Sequence, residues 1–149
     1  MLVYRLYKST YISDPLSAEG ASRAGGRWNP RGYPILYTSA TPELALLEVI
    51  AHLNPGFIPR FHLLVLEVPD ECRFIAADSL PAGWQDEHDG ALQTFLMDWL
   101  KQPDLPAVSV PSAIVSRSRN YLLHTLHPDF PHSVRIVENL PFEVDSRLV

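Results

Sequence analysis

One cysteine in 149 residues, Cys72, leaves nothing for an internal disulfide to form from. A reducing compartment suits that usage, and the cytoplasm is the expected location. No stretch approaches the roughly 18 consecutive apolar residues that a spanning helix requires. Met1 to Thr10 alternates apolar and polar residues and lacks the apolar core and cleavage site of a signal peptide. Positive charge is scarce. Twelve Lys and Arg against 17 Asp and Glu give a net charge of -5, which argues against a nucleic-acid binder with a broad basic face.

Several catalytic patterns are missing too. There is no GxGxxG after the first predicted strand and no P-loop. The six histidines (52, 62, 88, 124, 127 and 132) include no HExxH and no Cys/His cluster, so a structural zinc is not expected. Ser112 lies in Val110-Pro111-Ser112-Ala113, without the Gly-x-Ser-x-Gly elbow of a hydrolase. Cys72 follows Asp70 and Glu71, which disfavour a thiolate. No internal repeat or low-complexity tract is present.

What is there describes a globular chain. A hydrophobic fraction of 46% suffices for a core, and the length predicts one domain over residues 1–149. Fourteen prolines point to short elements and many loops. Leu2 to Tyr7 reads as a strand with Arg5 in its middle, Ser9 to Tyr33 as a long loop, and Pro34 to Ser39 as a second strand carrying Tyr37. Thr41-Pro42-Glu43 opens a helix with Thr as N-cap. That helix runs to about Leu53, is apolar on nearly every side, and is therefore expected to be buried. Phe61 to Val68 is a strand, Ala91 to Lys101 a helix with a core-packing face, and Ala107 to Val110, Ser133 to Glu138 and Phe142 to Val144 are short strands. Ser116 to Asn120 and the turn His127-Pro128-Asp129-Phe130 lie between them, Asp129 serving turn chemistry. Strands and helices mix without βαβ alternation, so the fold class is α+β.

Two places carry candidate chemistry. Glu48 has Leu44, Ala45 and Ala51 as helical neighbours, with His52 the polar exception. A carboxylate so placed is either one half of a structural ion pair or the charged floor of a cleft. Gly25-Gly26-Arg27-Trp28-Asn29 combines glycines that admit close approach with an arginine fork suited to pyrophosphate or carboxylate. Trp28 either stacks on a flat ring or plugs the core. Arg23, Arg27 and Arg31 recur every four residues and suit a small phosphate-bearing ligand.

With these pieces assembled, the sequence resembles the RES domain family. Glu19-Gly20-Ala21 leads into Gly25-Gly26-Arg27-Trp28-Asn29; then come Tyr37 in Ile-Leu-Tyr-Thr-Ser, Ala45-Leu46-Leu47-Glu48-Val49, and Val110-Pro111-Ser112-Ala113. Asn120-Tyr121-Leu122, the His127–Phe130 turn and the closing Phe142 to Leu148 follow in order. One departure stands out: His124-Thr125-Leu126 precede the turn where the family tends to have Asn-Pro. The resemblance implies a single compact domain related to the ADP-ribosyltransferase toxin fold. It implies the toxin of a type II toxin–antitoxin pair, consuming NAD by splitting the nicotinamide–ribose bond with water or phosphate as acceptor. Alternatives are a mono-ADP-ribosyltransferase acting on a protein and a catalytically silent binding module, against which the joint presence of Arg27, Tyr37, Glu48 and Ser112 argues.

In that reading Glu48, Arg27, Tyr37 and Ser112 are catalytic, and Arg5, Gly26, Trp28, Asn29 and Asn120 bind NAD. Glu48 stabilises the ribose cation, Arg27 pairs with the pyrophosphate or with Glu48, and Arg5 is a second phosphate ligand. Tyr37 meets the nicotinamide half, while Ser112 and Asn120 bind ribose hydroxyl, phosphate or amide. NAD is substrate, and no metal or prosthetic group is expected. The implied partner is an Xre-like antitoxin whose tail blocks the site, with a possible homodimer in a larger complex and neither nucleic acid nor membrane as partner.

Overall fold

A computed structural model describes residues 1–86 and 90–149; His88 therefore lies outside the described residues. Seven strands form one sheet: β1 (Leu2–Lys8), β2 (Ile35–Ser39), β3 (Phe61–Glu67), β4 (Arg73–Phe74), β5 (Ala107–Pro111), β6 (Arg119–His124) and β7 (Arg135–Phe142). Their order is β4-β5-β6-β2-β1-β3-β7, antiparallel except for the β4–β5 pair. Helices α1 (Glu19–Ala24), α2 (Pro42–Ile50), α3 (Met97–Lys101) and α4 (Phe130–Ser133) complete an α+β architecture.

Period-2 alternation divides the sheet's apolar residues between two faces. Ile35, Val108, Val110 and Leu122 meet Trp28, Leu92, Leu96 and Trp99 on one face; Leu36, Ala107 and Leu123 join Val3, Leu64, Leu66 and Phe130 on the other. Beside β1, Leu6 and Phe61 pack with Ala45 of α2.

The feature that matters for function is a split in the sheet. β1 pairs with β3 over seven residues and β2 with β6 over five, yet β1 and β2 meet in register only at Tyr4↔Ser39. Continued pairing would put Leu6 opposite Tyr37. Instead the two strands part, and the Tyr37 carbonyl takes the Arg5 guanidinium at 3.4 Å.

Several sequence expectations need correction. α2 has its Thr41 cap, Oγ1 accepting from the Leu44 N–H at 3.2 Å, but it ends at Ile50 and is not buried all round. Only Leu44 and Ala45 are buried, and Leu47 is 41% exposed. The helix packs against β1 and β2 at the edge of the split. The expected loop from Ser9 to Tyr33 contains α1, which is too short to show apolar periodicity. The helix expected at Ala91 to Lys101 is a 3-10 turn over Gly90–Thr94 followed by α3; the Phe95 N–H bonds the Leu92 carbonyl and tightens the chain there. β4 and β6 have no counterpart among the expected elements, the polar run before Asn120 masking the start of β6. The two strands expected at Ser133 to Glu138 and Phe142 to Val144 are one edge strand, β7, which tolerates Pro141 because its outer side is unpaired.

Candidate active site

The cleft opens where β1 and β2 part, as two lobes of about 430 and 390 Å³. Arg5, Tyr37, Glu48, His52 and Asn120 line both and form the wall at which the lobes meet. The first lobe continues along β1 past Tyr4, Tyr7, Lys8 and Tyr11. The second continues past Ala21, Gly25, Gly26 and Arg27.

α2 delivers Glu48, half-buried, into that shared wall. Its Oε1 accepts from Ser112 Oγ at 2.7 Å and from Asn120 Nδ2 at 2.7 Å. Both donors are themselves fixed. Ser112 Oγ already accepts from the N–H groups of Ile114 and Val115, so its proton is committed to Glu48. Asn120 Oδ1 accepts from Ser39 Oγ at 2.7 Å, which sets the amide's orientation. One carboxylate oxygen is thus pinned as an acceptor, and Oε2 takes no hydrogen bond among the described residues.

The Gly25–Asn29 turn is a self-braced loop. Gly25 sits at φ +74°, and the Gly26 N–H bonds the Asn29 carbonyl at 2.9 Å. A Cβ on Gly26 would lie 2.5 Å from the Tyr37 hydroxyl, so only glycine fits. That hydroxyl donates to Asn29 Oδ1 at 2.5 Å and accepts from the Trp28 N–H at 3.1 Å. Asn29 Nδ2 donates to the carbonyls of Ala21, Pro30 and Tyr33. Burial pushes the Tyr37 phenol well above its ordinary pKa, so it stays protonated and works as a strut.

These contacts redistribute the roles read from sequence. Tyr37 keeps its ring in the cleft wall, but its hydroxyl is spent on the loop. Asn29 is fully buried and saturated, and lines neither lobe. Trp28, 3% exposed and edge-on to Phe95, is the core plug of its two readings, with only a margin on the second lobe. Ser112 is fully buried and holds Glu48 rather than lining the cleft. Arg27 does not pair with Glu48; its Nη1 donates to the carbonyls of Trp84 and Asp86. Arg23 pairs with Glu19, and neither Arg23 nor Arg31 joins Arg27 in the cleft. Arg5 and Asn120 do face it. The Arg5 Nε is buried with no hydrogen-bond partner among the described residues, and burial lowers the guanidinium's pKa to about 10.

Sequence reasoning missed Tyr4, Lys8, Tyr11 and Ser39 as cleft residues, and noted His52 only as a neighbour. His52 was findable, one helical turn beyond Glu48; the tyrosines carried no signal until the split in the sheet was known. Cys72 is remote from both lobes, and burial, before any neighbouring charge, raises its pKa. The family departure at His124-Thr125-Leu126 also falls away from the lining residues, His124 being buried at the end of β6. No group of three or more metal-ligating side chains occurs among the described residues. No helix among them is long and apolar enough to cross a membrane.

Residues 2–145 match the family model of the RES domain. The chain is similar to "Toxin Res" of Photorhabdus laumondii, at 32% identity over 152 residues, covering 100% of this chain and 97% of that protein. It is similar to the "Prs ADP-ribosylating toxin" of Sphingobium sp., at 39% identity over 126 residues, covering 80% and 78%. Among solved structures it superposes on a chain of the M. tuberculosis MbcT–MbcA toxin–antitoxin complex with a TM-score of 0.75 at 18% identity, covering 95% of this chain and 83% of that one. At that identity the likeness speaks for the fold.

Proposed function

The chain belongs to the RES domain family, and from that premise we propose that it is the toxin of a bacterial toxin–antitoxin pair, an enzyme that depletes NAD by breaking the nicotinamide–ribose bond. The observation that carries this reading is Glu48 at the meeting of the two lobes, with Oε1 fixed by two donors. Each lobe falls in the size range of a small-molecule pocket, roughly 300–1,000 Å³, so a dinucleotide can reach across the junction with its scissile bond near Glu48.

Nicotinamide departs as a neutral molecule from a cationic precursor, taking the bonding electron pair, so departure requires no general acid. Positive charge then develops on the ribose. A carboxylate already oriented by Ser112 and Asn120 stabilises that charge without reorganising. A water acceptor forms the new bond at the same carbon and releases one proton to solvent, whereas a phosphate acceptor forms it through an oxygen that is already deprotonated. Arg5 and the free edge of Arg27 meet the pyrophosphate, and the Tyr37 ring borders the nicotinamide half. This chemistry calls for neither metal nor flavin.

A second reading keeps the cleft but passes ADP-ribose to a protein; the name of the Sphingobium relative favours it. In either reading the partner is an antitoxin, in keeping with the toxin–antitoxin complex that holds the structural neighbour. An Xre-like antitoxin with a tail in the cleft, and a homodimer within the assembly, belong to the same proposal. Incubation of the purified protein with NAD, with and without phosphate, tests it. Free ADP-ribose identifies hydrolysis, ADP-ribose-1″-phosphate phosphorolysis, and labelled protein transfer. Intact NAD in every condition would leave the binding-module reading instead.

A further inference from the structure

The arginine of the loop is held from outside the loop. Arg27 Nη1 donates to the Trp84 carbonyl at 3.0 Å and to the Asp86 carbonyl at 3.4 Å. Gln93 Nε2 donates to the Gly26 carbonyl, one residue before Arg27, at 3.1 Å. Both braces come from the connection between β4 and α3, and both are rooted in the core. Trp84 and Leu92 are buried in the cluster that contains Trp28 and Trp99. The fit is close: a Cβ on Gly25 would lie 3.4 Å from Gln93 Nε2 and 3.2 Å from the Asn29 carbonyl oxygen.

This bracing decides which edge of Arg27 meets a ligand. A guanidinium is planar and its donors are rigidly forked. With Nη1 committed to two carbonyls, Nε and Nη2, which make no hydrogen bond among the described residues, form the edge left for the second lobe. The peptide that sets the start of the Arg27 side chain is the one whose carbonyl Gln93 holds. We infer that Gln93 is a positioning residue: by fixing the Gly26 carbonyl it orients Arg27 toward an anionic substrate group, without touching the substrate. The inference rests on the NAD reading of the cleft. Glu48 is held by a separate set of groups, Ser112 and Asn120, so Gln93 acts on substrate binding and leaves bond cleavage alone.

The test compares Gln93→Glu, which keeps the side chain's size but removes its donor, with Gln93→Lys, which restores a donor. Steady-state NAD consumption, thermal melting and amide hydrogen exchange of residues 25–29 are measured for both variants and the native protein. Loss of one ordinary hydrogen bond predicts a rise in KM of about fivefold in Gln93→Glu, with kcat and melting temperature held and near-native behaviour in Gln93→Lys. The Gly26 and Trp28 amides, bonded to the Asn29 carbonyl and the Tyr37 hydroxyl, should exchange faster in Gln93→Glu. Unchanged KM overturns the inference, as does a fall in kcat at constant KM. A native protein that leaves NAD intact would refute the NAD reading, and exchange alone would then decide: faster exchange upholds the brace, unchanged exchange overturns it.

Discussion

The two walls of the cleft use their polar atoms in opposite ways. Behind the loop wall, Asn29, the Tyr37 hydroxyl and Ser112 are buried supports saturated by partners inside the protein. On the β1 wall, Arg5 makes one long bond to the Tyr37 carbonyl, and its buried Nε has no partner among the described residues. Buried polar groups are normally satisfied, and an exception calls for an explanation. Saturated groups set the shape of the site; an under-satisfied buried cation holds binding capacity in reserve. Glu48 divides the two roles between its oxygens, Oε1 belonging to the scaffold. The contrast separates the residues that shape the site from those left able to meet a ligand.

The largest break in that contrast comes from Glu48→Gln. The amide oxygen can still accept from Ser112 and Asn120, so the fold is expected to survive. The charge that the proposed mechanism sets against the ribose is lost, and NAD turnover should fall by about 100- to 1,000-fold. Single-turnover kinetics beside a melting curve check both halves, and turnover near the native rate would remove Glu48 from the chemistry.

Asn29→Ala attacks the saturated wall instead. It strips the Tyr37 hydroxyl of its acceptor and three carbonyls of their donor, for a cost of about 2–4 kcal/mol. The melting temperature should drop by roughly 10 °C, with activity per folded molecule reduced as the loop loosens. Arg5→Met probes the opposite wall and should show the reverse pattern. Removing a half-buried cation that has no ion-pair partner among the described residues holds or raises stability, while KM for NAD rises by at least about tenfold. A melting temperature that fell as far as in Asn29→Ala would show that Arg5 is scaffold after all.

The same contrast explains how much of the site was legible in the sequence. Glu48 could be found because a carboxylate among apolar helical neighbours is chemically anomalous wherever the helix lies, although the helix proved half-open. The loop was visible through its glycines and arginine. What sequence could not reveal was which atoms were already spent. Asn29 and Arg5 are both polar residues near apolar ones, and only the positions of Tyr37, Ala21 and Tyr33 show that the first is saturated and the second is not. The sheet is legible only in part for a related reason. β1 and β3 announce themselves by composition, whereas β6 begins in a polar run, and the split that creates the cleft is a pairing that stops after Tyr4↔Ser39, a long-range event without a local pattern. The α+β class was legible; the parting of two strands was not.

A third polar residue, remote from the cleft, sharpens the comparison with the smallest effect. His124 is buried against Trp99, their ring centroids 5.2 Å apart. One nitrogen, Nε2, lies 2.9 Å from the Leu100 carbonyl, and the other, Nδ1, accepts from the Leu126 N–H at 3.3 Å. An acceptor at Nδ1 and a donor at Nε2 define the neutral ring, and burial lowers its pKa below the ordinary 6.5. The unfolded chain therefore takes up this proton before the folded one does. The stability that neutral His124 contributes is complete above pH 6.5 and is lost as pH falls from there through the lower native value. Melting curves from pH 7.5 to 5 should show this loss, and His124→Gln should flatten it relative to the native protein while KM for NAD stays constant. An equal slope in the variant would place the titration elsewhere. A change in KM would mean that this saturated histidine communicates with the cleft, contrary to the division drawn between groups that hold the fold and groups that await a ligand.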